Sequence, residues 1–228
     1  MWGSWGETLP FWVRADTQTG GVGRRGRAWL SPPGNLYASL VTDRLATHGA
    51  REAAAAYGFA VSLGVRDACV GAGAAPGRLA VKWPNDVILD GAKLAGLLID
   101  RVDRGDGRVP DPALIVGIGV NLAIAPEVPD YAAAALAQAC APPAPRVFLD
   151  VLDAAIARRM AQGFGALKAD WLGAAVGIGG PVAVRLPGGT EWRGTALGLD
   201  DHGGLRVEVG GTVRTANAGD VFFGAEAG

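Results

Sequence analysis

The stretch VKWPNDVILDGAKLAG, residues 81–96, decides the fold of the region around it. Residues 79–83 form a short β-rich run that leads into a proline, and residues 87–89 and 93–100 form two further apolar runs. The dipeptide Asp90-Gly91 separates these two runs, and it supplies the positive φ angles that a tight hairpin turn needs. The stretch therefore predicts a strand followed by a β-hairpin.

Three polar residues interrupt this apolar stretch: Lys82, Asn85 and Asp86. Polar groups so near a core are costly unless they bind one another or a ligand. Lys82 offers a positive charge to a carboxylate or a phosphate. Asn85 and Asp86 could fix a turn or orient a metal ion, and for Asp86 a purely turn-forming role is an equal alternative.

Further elements flank this stretch. Residues 9–17, 36–41 and 113–120 are β-rich, and residues 49–69 and 146–175 have the spacing of apolar residues that is typical of helices. The strands and helices do not alternate regularly, so we predict the α+β class, with a mixed β-sheet and helices. After Gly180 the chain has short β segments with tight turns, which are typical of a small barrel. We place the domain boundary near Gly177, giving domains 1–176 and 177–228.

The composition limits the function classes. Half of the 228 residues are apolar and the formal net charge is −1, which does not suit a protein that coats nucleic acid or an anionic membrane. No apolar run approaches the roughly 18 residues that span a bilayer, and the first residues do not have the pattern of a secretory signal. The two cysteines have no metal-ligand spacing. We therefore expect a cytoplasmic protein without a resident metal centre.

A loop with the sequence GGVGRRGR, residues 20–27, is the second candidate site and is called the arginine loop below. It matches the pattern G-x-G-x-x-G, but a dinucleotide site needs that pattern to open a helix. Pro32 and Pro33 follow too soon for a long helix, so we reject this reading. Arg24, Arg25 and Arg27 could bind phosphate or carboxylate oxygens in a bidentate manner. The alternative for an isolated loop of this kind is a solvated basic turn.

Several motifs in order give this sequence a family resemblance. Residues 18–29, KWPND followed by KLAGLLID, and VGIGVN at residues 116–121 together resemble the biotin protein ligases over nearly the whole chain. The resemblance implies a biotin/lipoate ligase-like core, similar to class II synthetases, with a C-terminal SH3-like β-barrel. It implies ATP-dependent activation of biotin to biotinyl-AMP, with Mg²⁺, and transfer to a lysine of a biotin carboxyl carrier protein. It also implies a monofunctional enzyme, monomer or homodimer, that does not bind DNA.

The resemblance also implies roles for individual residues. Lys82 and Arg24 would be catalytic. Biotin would contact Gln18, Gly21, Arg24, Lys82, Gly96 and Gly117. ATP or the adenylate would contact Arg24, Arg25, Gly26, Arg27, Trp29, Asn85, Lys93 and Asn121, with Trp29 closing over the adenine.

The sequence departs from the family pattern at two places. Val22 stands where the family usually has another arginine. The family carries a Ser-Thr-Asn segment well upstream of the arginine loop, and the residues before Gln18 do not contain it. Two alternatives therefore stay open: a catalytically impaired or truncated homologue that binds biotin or nucleotide weakly, and a lipoate-type ligase.

Overall fold

The computed structural model describes residues 9–42, 50–102, 113–129 and 131–224. The first sheet has six strands in the order β1-β2-β6-β5-β4-β3, and all of its pairings are antiparallel. Its strands are β1 (Phe11–Ala15), β2 (Leu36–Thr42), β3 (Leu79–Lys82), β4 (Asp86–Leu89), β5 (Ala92–Val102) and β6 (Ala113–Val120). The helices are α1 (Ala50–Gly71), α2 (Pro145–Met160) and α3 (Phe164–Ala174).

The predicted hairpin is confirmed in detail. β4 pairs with β5, and the turn between them has φ angles of 50° at Asp90 and 82° at Gly91. These values lie in the left-handed region that an Asp-Gly turn favours. The hairpin could be predicted because its pairing and its turn are both local in sequence.

The first sheet has one covered face and one open face. Along β6, residues 114, 116, 118 and 120 are buried, whereas residues 115, 117 and 119 are only half-buried. Strand residues alternate between the two faces of a sheet, so the buried set faces the helices α1 and α2. The half-buried set faces a cavity on the other side.

The predicted helix over residues 146–175 is wrong in one respect, because two helices occupy this segment. α2 ends at Met160 and α3 begins at Phe164. Gly163, which precedes α3, has extended backbone with φ −66° and ψ 150° and interrupts the helical path. The break lets α3 pack against a second core, where Trp171 is 1% exposed and its Nε1 donates to Ser62 Oγ at 3.1 Å.

The second sheet is antiparallel, with strand order β10-β9-β8-β7-β11. Its strands are β7 (Pro181–Arg185), β8 (Glu191–Leu199), β9 (Leu205–Val209), β10 (Thr212–Ala216) and β11 (Asp220–Phe223). Short antiparallel strands were predicted for this region, and the structure has them. Within the described residues the two end strands do not pair with each other, so the sheet is not a closed barrel. Among the described helices, none has both the length and the apolar character that a bilayer crossing requires.

Candidate active site

A cavity of about 700 Å³ lies on the open face of the first sheet. Its floor is formed by β5 and β6. Its walls are formed by the arginine loop, the turn at residues 83–85, the start of β11 and the residues Val128, Pro129, Tyr131 and Ala132. The predicted site residues that line it are Gln18, Arg24, Arg27, Trp29, Lys82, Asn85, Lys93, Gly96 and Gly117. The structure therefore brings together residues from three separate segments of the sequence, at positions 18–29, 82–96 and 117.

The floor is made of glycines on neighbouring strands. Gly96 in β5 is the register partner of Gly119 in β6, and the Trp29 ring rests on this pair. A Cβ atom at Gly119 would lie 2.5 Å from Trp29 Cε2, and one at Gly96 would lie 3.0 Å from Trp29 Cζ3. A Cβ atom at Gly117 would meet only Leu98, at an ordinary 3.5 Å. The Trp29 ring therefore requires glycine at position 119, which sequence reasoning missed, and Gly117 lines the cavity.

The arginine loop closes on itself. Trp29 N donates to Gly21 O at 2.8 Å, and Gly23 N donates to Arg27 O at 2.7 Å. A Cβ atom at Gly21 would lie 2.5 Å from Trp29 O, so only glycine fits this crossing. Gly21 and Gly26 do not line the cavity, and Gly26 serves the turn with a φ of 72°. Gly21 and Gly26 therefore shape the loop, and their positions do not support the predicted ligand contacts.

Arg24 is the most enclosed of the loop arginines. Its Nη1 donates to Asn85 Oδ1 at 3.2 Å and its Nη2 donates to Gly219 O at 3.1 Å. Burial lowers the pKa of Arg24, and the nearby carboxylates of Asp220 and Asp86 oppose that shift. Arg24 therefore presents a positive charge in a partly desolvated position, where it interacts more strongly with an anion than it would in water.

The other two loop arginines bind the second sheet. Arg25 Nη1 lies 2.9 Å from Asp220 Oδ2, and Arg27 Nη2 lies 2.5 Å from Asp220 Oδ1. Arg27 lines the cavity, but Arg25 does not. The prediction that Arg25 contacts nucleotide is therefore not supported by its position, which is on the outer side of the loop.

Lys93 lies close to the glycine floor. Its Nζ is 2.7 Å from Asp86 Oδ1, and both side chains are about one-fifth exposed. This contact is an ion pair without the alignment of a good hydrogen bond. The ammonium also lies 5.5 Å from the ring centroid of Trp29 and 5.1 Å from that of Tyr131, within the range of cation–π attraction. A carboxylate and two aromatic rings thus hold this cation at the cavity.

Lys82 lines another part of the same cavity. It belongs to the edge strand β3, and its Nζ lies 6.0 Å from the ring centroid of Phe223 in β11. Lys82 therefore faces the second sheet, whereas Lys93 stands beside the floor. The structure brings both lysines, which were predicted as ligand contacts, into one cavity.

The expectation that Asn121 faces the nucleotide disagrees with the structure. Asn121 is 2% exposed, and its Nδ2 donates to Ala134 O at 3.1 Å. Its backbone N donates to Leu94 O at 2.9 Å. The side chain therefore joins the segment after β6 to β5, and it lies beneath the cavity lining.

Comparisons with known proteins agree with this architecture. The family model described as "Biotin/lipoate A/B protein ligase family" matches residues 3–121, and "Biotin protein ligase C terminal domain" matches residues 177–224. The biotin--[acetyl-CoA-carboxylase] ligase of Paracoccus denitrificans is 39% identical over 93% of this chain and 90% of its own length. The corresponding ligase of Mycobacterium tuberculosis is 34% identical over 91% of this chain and 76% of its own length.

Solved structures show the same fold. The biotin protein ligase of Aquifex aeolicus in complex with biotin and ATP superposes with a TM-score of 0.76 at 24% identity, covering 93% of this chain and 89% of that one. The Leishmania major enzyme in complex with biotinyl-5-AMP gives a TM-score of 0.62 at 27% identity, covering 92% and 89%. The chain belongs to the biotin/lipoate A/B protein ligase family and, with both of its domains matched, to the biotin protein ligases within it.

Proposed function

We propose that this cavity activates biotin with ATP to form biotinyl-AMP and then transfers the biotinyl group to a lysine of a biotin carboxyl carrier protein. One observation carries the proposal: four cationic side chains line a single cavity whose floor is made of glycines. These are Arg24, Arg27, Lys82 and Lys93. The names of the most similar relatives specify the same reaction.

The reaction needs positive charge at the place where two anions meet. An oxygen of the biotin carboxylate attacks the α-phosphorus of ATP, the bond to the bridging oxygen breaks, and pyrophosphate leaves with that electron pair. In the second step a neutral lysine amine attacks the acyl carbon, and AMP leaves. Cations that are fixed in place before the reaction stabilise the charge that develops on the phosphate without having to reorganise.

We assign the contact with the carboxylate and the α-phosphate to Lys82 and Arg24, which line the same cavity. A Cβ atom at Gly96 would lie 3.3 Å from Lys93 Nζ, so the ammonium borders the floor itself. Glycines at this point let the Trp29 ring rest directly on the floor, and biotin would lie beside this ring. Lys93 would contact the nucleotide, and Arg27 would help to hold its phosphates.

The remaining lining residues orient the ligands. Gln18 Oε1 accepts a hydrogen bond from Ser31 Oγ at 2.9 Å, which leaves its amide NH₂ as the donor for the ureido oxygen of biotin. Asn85 Nδ2 donates to Leu97 O at 2.5 Å and fixes the turn against which Arg24 rests. Trp29 borders the ligand and limits the access of water, which would hydrolyse the mixed anhydride.

Magnesium would enter with the nucleotide. Within the described residues no group of three His, Cys, Asp or Glu side chains could hold a metal ion. Mg²⁺ takes most of its ligands from phosphates and water, and one or two protein oxygens complete the site. Asn85 and Asp86 line the cavity and are the nearest candidates, so the residues present fit a nucleotide-bound ion.

We also propose that the chain has two functional units, residues 1–176 and residues 177–228. The first unit carries the floor and the arginine loop. The second begins between the end of α3 at Ala174 and the start of β7 at Pro181, and it contributes the wall at β11.

The test is direct detection of the intermediate. The protein is incubated with biotin and ATP labelled in the α-phosphate, and biotinyl-AMP is separated by chromatography. A carrier domain is then added and its biotin is detected with streptavidin. We expect adenylate from biotin and not from lipoate, and we expect its loss in Lys82→Ala. Adenylate from lipoate alone would indicate the lipoate-type ligase, and the absence of any adenylate in a folded protein would refute the enzyme.

A further inference from the structure

We propose that Asp220 is a positioning residue, which fastens the arginine loop to the second sheet and so makes that sheet a working part of the adenylate-forming site. The inference rests on the proposed function for its kinetic consequences. The fastening of the loop itself is inferred from the geometry of the chain and does not depend on that function.

One carboxylate binds two guanidinium groups. Asp220 Oδ2 accepts from Arg25 Nη1 at 2.9 Å, and Asp220 Oδ1 accepts from Arg27 Nη2 at 2.5 Å. The Asp220 side chain is 19% exposed, so both contacts are partly shielded from solvent. Each oxygen of the carboxylate thus has its own arginine.

Backbone carbonyls of the second sheet add two further contacts. Arg24 Nη2 donates to Gly219 O at 3.1 Å, and Arg25 Nη2 donates to Arg185 O at 3.3 Å. All three loop arginines are therefore bound to residues 185–220, which lie some 160 to 195 positions away in sequence. Within the described residues, Asp220 is the one charged group of the second sheet among these contacts.

Asp220 is itself held in a fixed place. It is the first residue of β11, and it pairs with Arg185 in β7. The preceding Gly219 has a φ of 153°, and a Cβ atom there would lie 3.0 Å from Arg185 O. The tight passage into β11 therefore sets the direction of the carboxylate toward the loop.

Electrostatics explain why the loop needs such a partner. Three guanidinium groups within four residues repel one another, and a single exposed ion pair contributes little to order a loop. Asp220 faces two of these groups at once, and its field also acts on Arg24. The carboxylate thus offsets the mutual repulsion in the absence of substrate, and Arg24 and Arg27 are already in position when ATP arrives.

The sign of the kinetic effect distinguishes positioning from competition. If Asp220 positions the loop, then its removal weakens ATP binding, because the phosphates must then order the arginines themselves. If the carboxylate merely competed with the phosphates for the arginines, its removal would strengthen ATP binding. The two roles therefore predict opposite changes in KM for ATP.

The experiment compares Asp220→Asn and Asp220→Glu with a control, Asp201→Asn. Asp201 is also an ion-paired aspartate, in the turn between β8 and β9, at 2.9 Å from Lys168 Nζ, but its side chain is 95% exposed and it does not line the cavity. Limited trypsin digestion of the unliganded proteins measures cleavage after the loop arginines. Steady-state kinetics then give KM for ATP and kcat for adenylate formation.

We expect cleavage in the loop to be about tenfold faster in Asp220→Asn, unchanged in Asp201→Asn and close to wild type in Asp220→Glu. High salt should accelerate cleavage of the wild type, because it screens the ion pairs of Asp220 with the loop arginines. It should have little effect on Asp220→Asn, which lacks these ion pairs. KM for ATP should rise about tenfold in Asp220→Asn with kcat within about threefold, since ground-state binding is what changes.

Unchanged loop cleavage in Asp220→Asn, or a lower KM for ATP, would overturn the proposal. The digestion needs no catalytic activity, so its outcome does not depend on the proposed reaction. A wild-type protein that forms no adenylate but shows the expected digestion pattern would refute the function and leave the fastening of the loop intact.

Discussion

Substitution of alanine for Gly119 should damage ligand binding without damaging the fold. The new Cβ atom would lie within 2.5 to 2.6 Å of three atoms of the Trp29 ring, closer than carbon atoms approach in proteins. Gly119 is a strand residue without a positive φ, so alanine fits its backbone. The indole is half-buried at the cavity, and it is the group that must move.

The size of the effect follows from what the displaced ring loses. Overpacking of this kind typically costs about 1–3 kcal/mol. Trp29 belongs to a loop that borders solvent and can move. We therefore expect this free energy to be lost from the closure of the loop over the ligand and not from the stability of the fold. It corresponds to an increase of about 5- to 150-fold in KM for biotin. The melting temperature should stay within a few degrees of wild type, because Gly→Ala at a compatible strand position also restricts the unfolded chain.

Gly117→Ala is the matched comparison, because it adds the same methyl group to the same face of the same strand. Its Cβ atom would make only ordinary contacts with Leu98, so we expect KM for biotin to rise by no more than about threefold. Both variants are measured by adenylate formation over a range of biotin concentrations, with thermal melts as the control for folding. Equal effects of the two substitutions would refute the role of the Gly96–Gly119 floor.

Three further predictions concern other residues. Lys82→Ala should lower kcat for adenylate formation by at least about 100-fold, and Lys93→Ala should act mainly on KM for ATP, which rapid-quench and steady-state kinetics would separate. Arg159→Ala removes a side chain that bonds aspartates of α1 and α3 and should cost about 1.5–3 kcal/mol, lowering the melting temperature by several degrees with unchanged KM for biotin. Burial raises the pKa of the Cys69 thiol to about 12, so at pH 8 iodoacetamide should modify the partly exposed Cys140 and not Cys69, as read by mass spectrometry.

The parts of the fold that sequence could predict are those determined locally. The Asp90-Gly91 hairpin was predictable because two residues fix the turn, and the pairing follows from it. The long helical pattern over residues 146–175 was also read correctly as helix. The break near Gly163 was not, because Gly165 and Gly173 lie in the same pattern and the helix α3 continues through both, so a glycine alone does not mark the break.

The sequence predicted most of the residues that line the candidate site, but it did not predict how they are arranged. Lys82 and Lys93 both stand in apolar surroundings, and only the strand order places β5 beside β6 and moves β3 to the edge. Asn121 follows a buried strand and resembles a ligand-binding residue, yet its amide satisfies backbone groups of the protein. Sequence alone does not distinguish a buried amide that binds the chain from one that binds a substrate.

No local feature of the sequence predicts which residues the arginine loop contacts. Asp220 lies 193 residues from Arg27, and nothing in the short β segments of the second sheet marks one aspartate among several as its partner. Gly119, in contrast, could have been found, because VGIGVN places two glycines on one face of a strand and only one of them was considered.

The chain has a net charge of −1, and its cavity nonetheless suits two anions because of how the charges are placed. Asp86 pairs with Lys93, and Asp220 pairs with Arg25 and Arg27, so these carboxylates hold cations at the cavity in the absence of substrate. Arg24 instead donates to neutral oxygens of Asn85 and Gly219, and no carboxylate in the described part of the chain forms an ion pair with it. A phosphate that enters therefore meets cations that are already oriented, one of which is not neutralised by an ion pair. In this arrangement the carboxylates favour anion binding, because the order that they impose outweighs the charge that they remove.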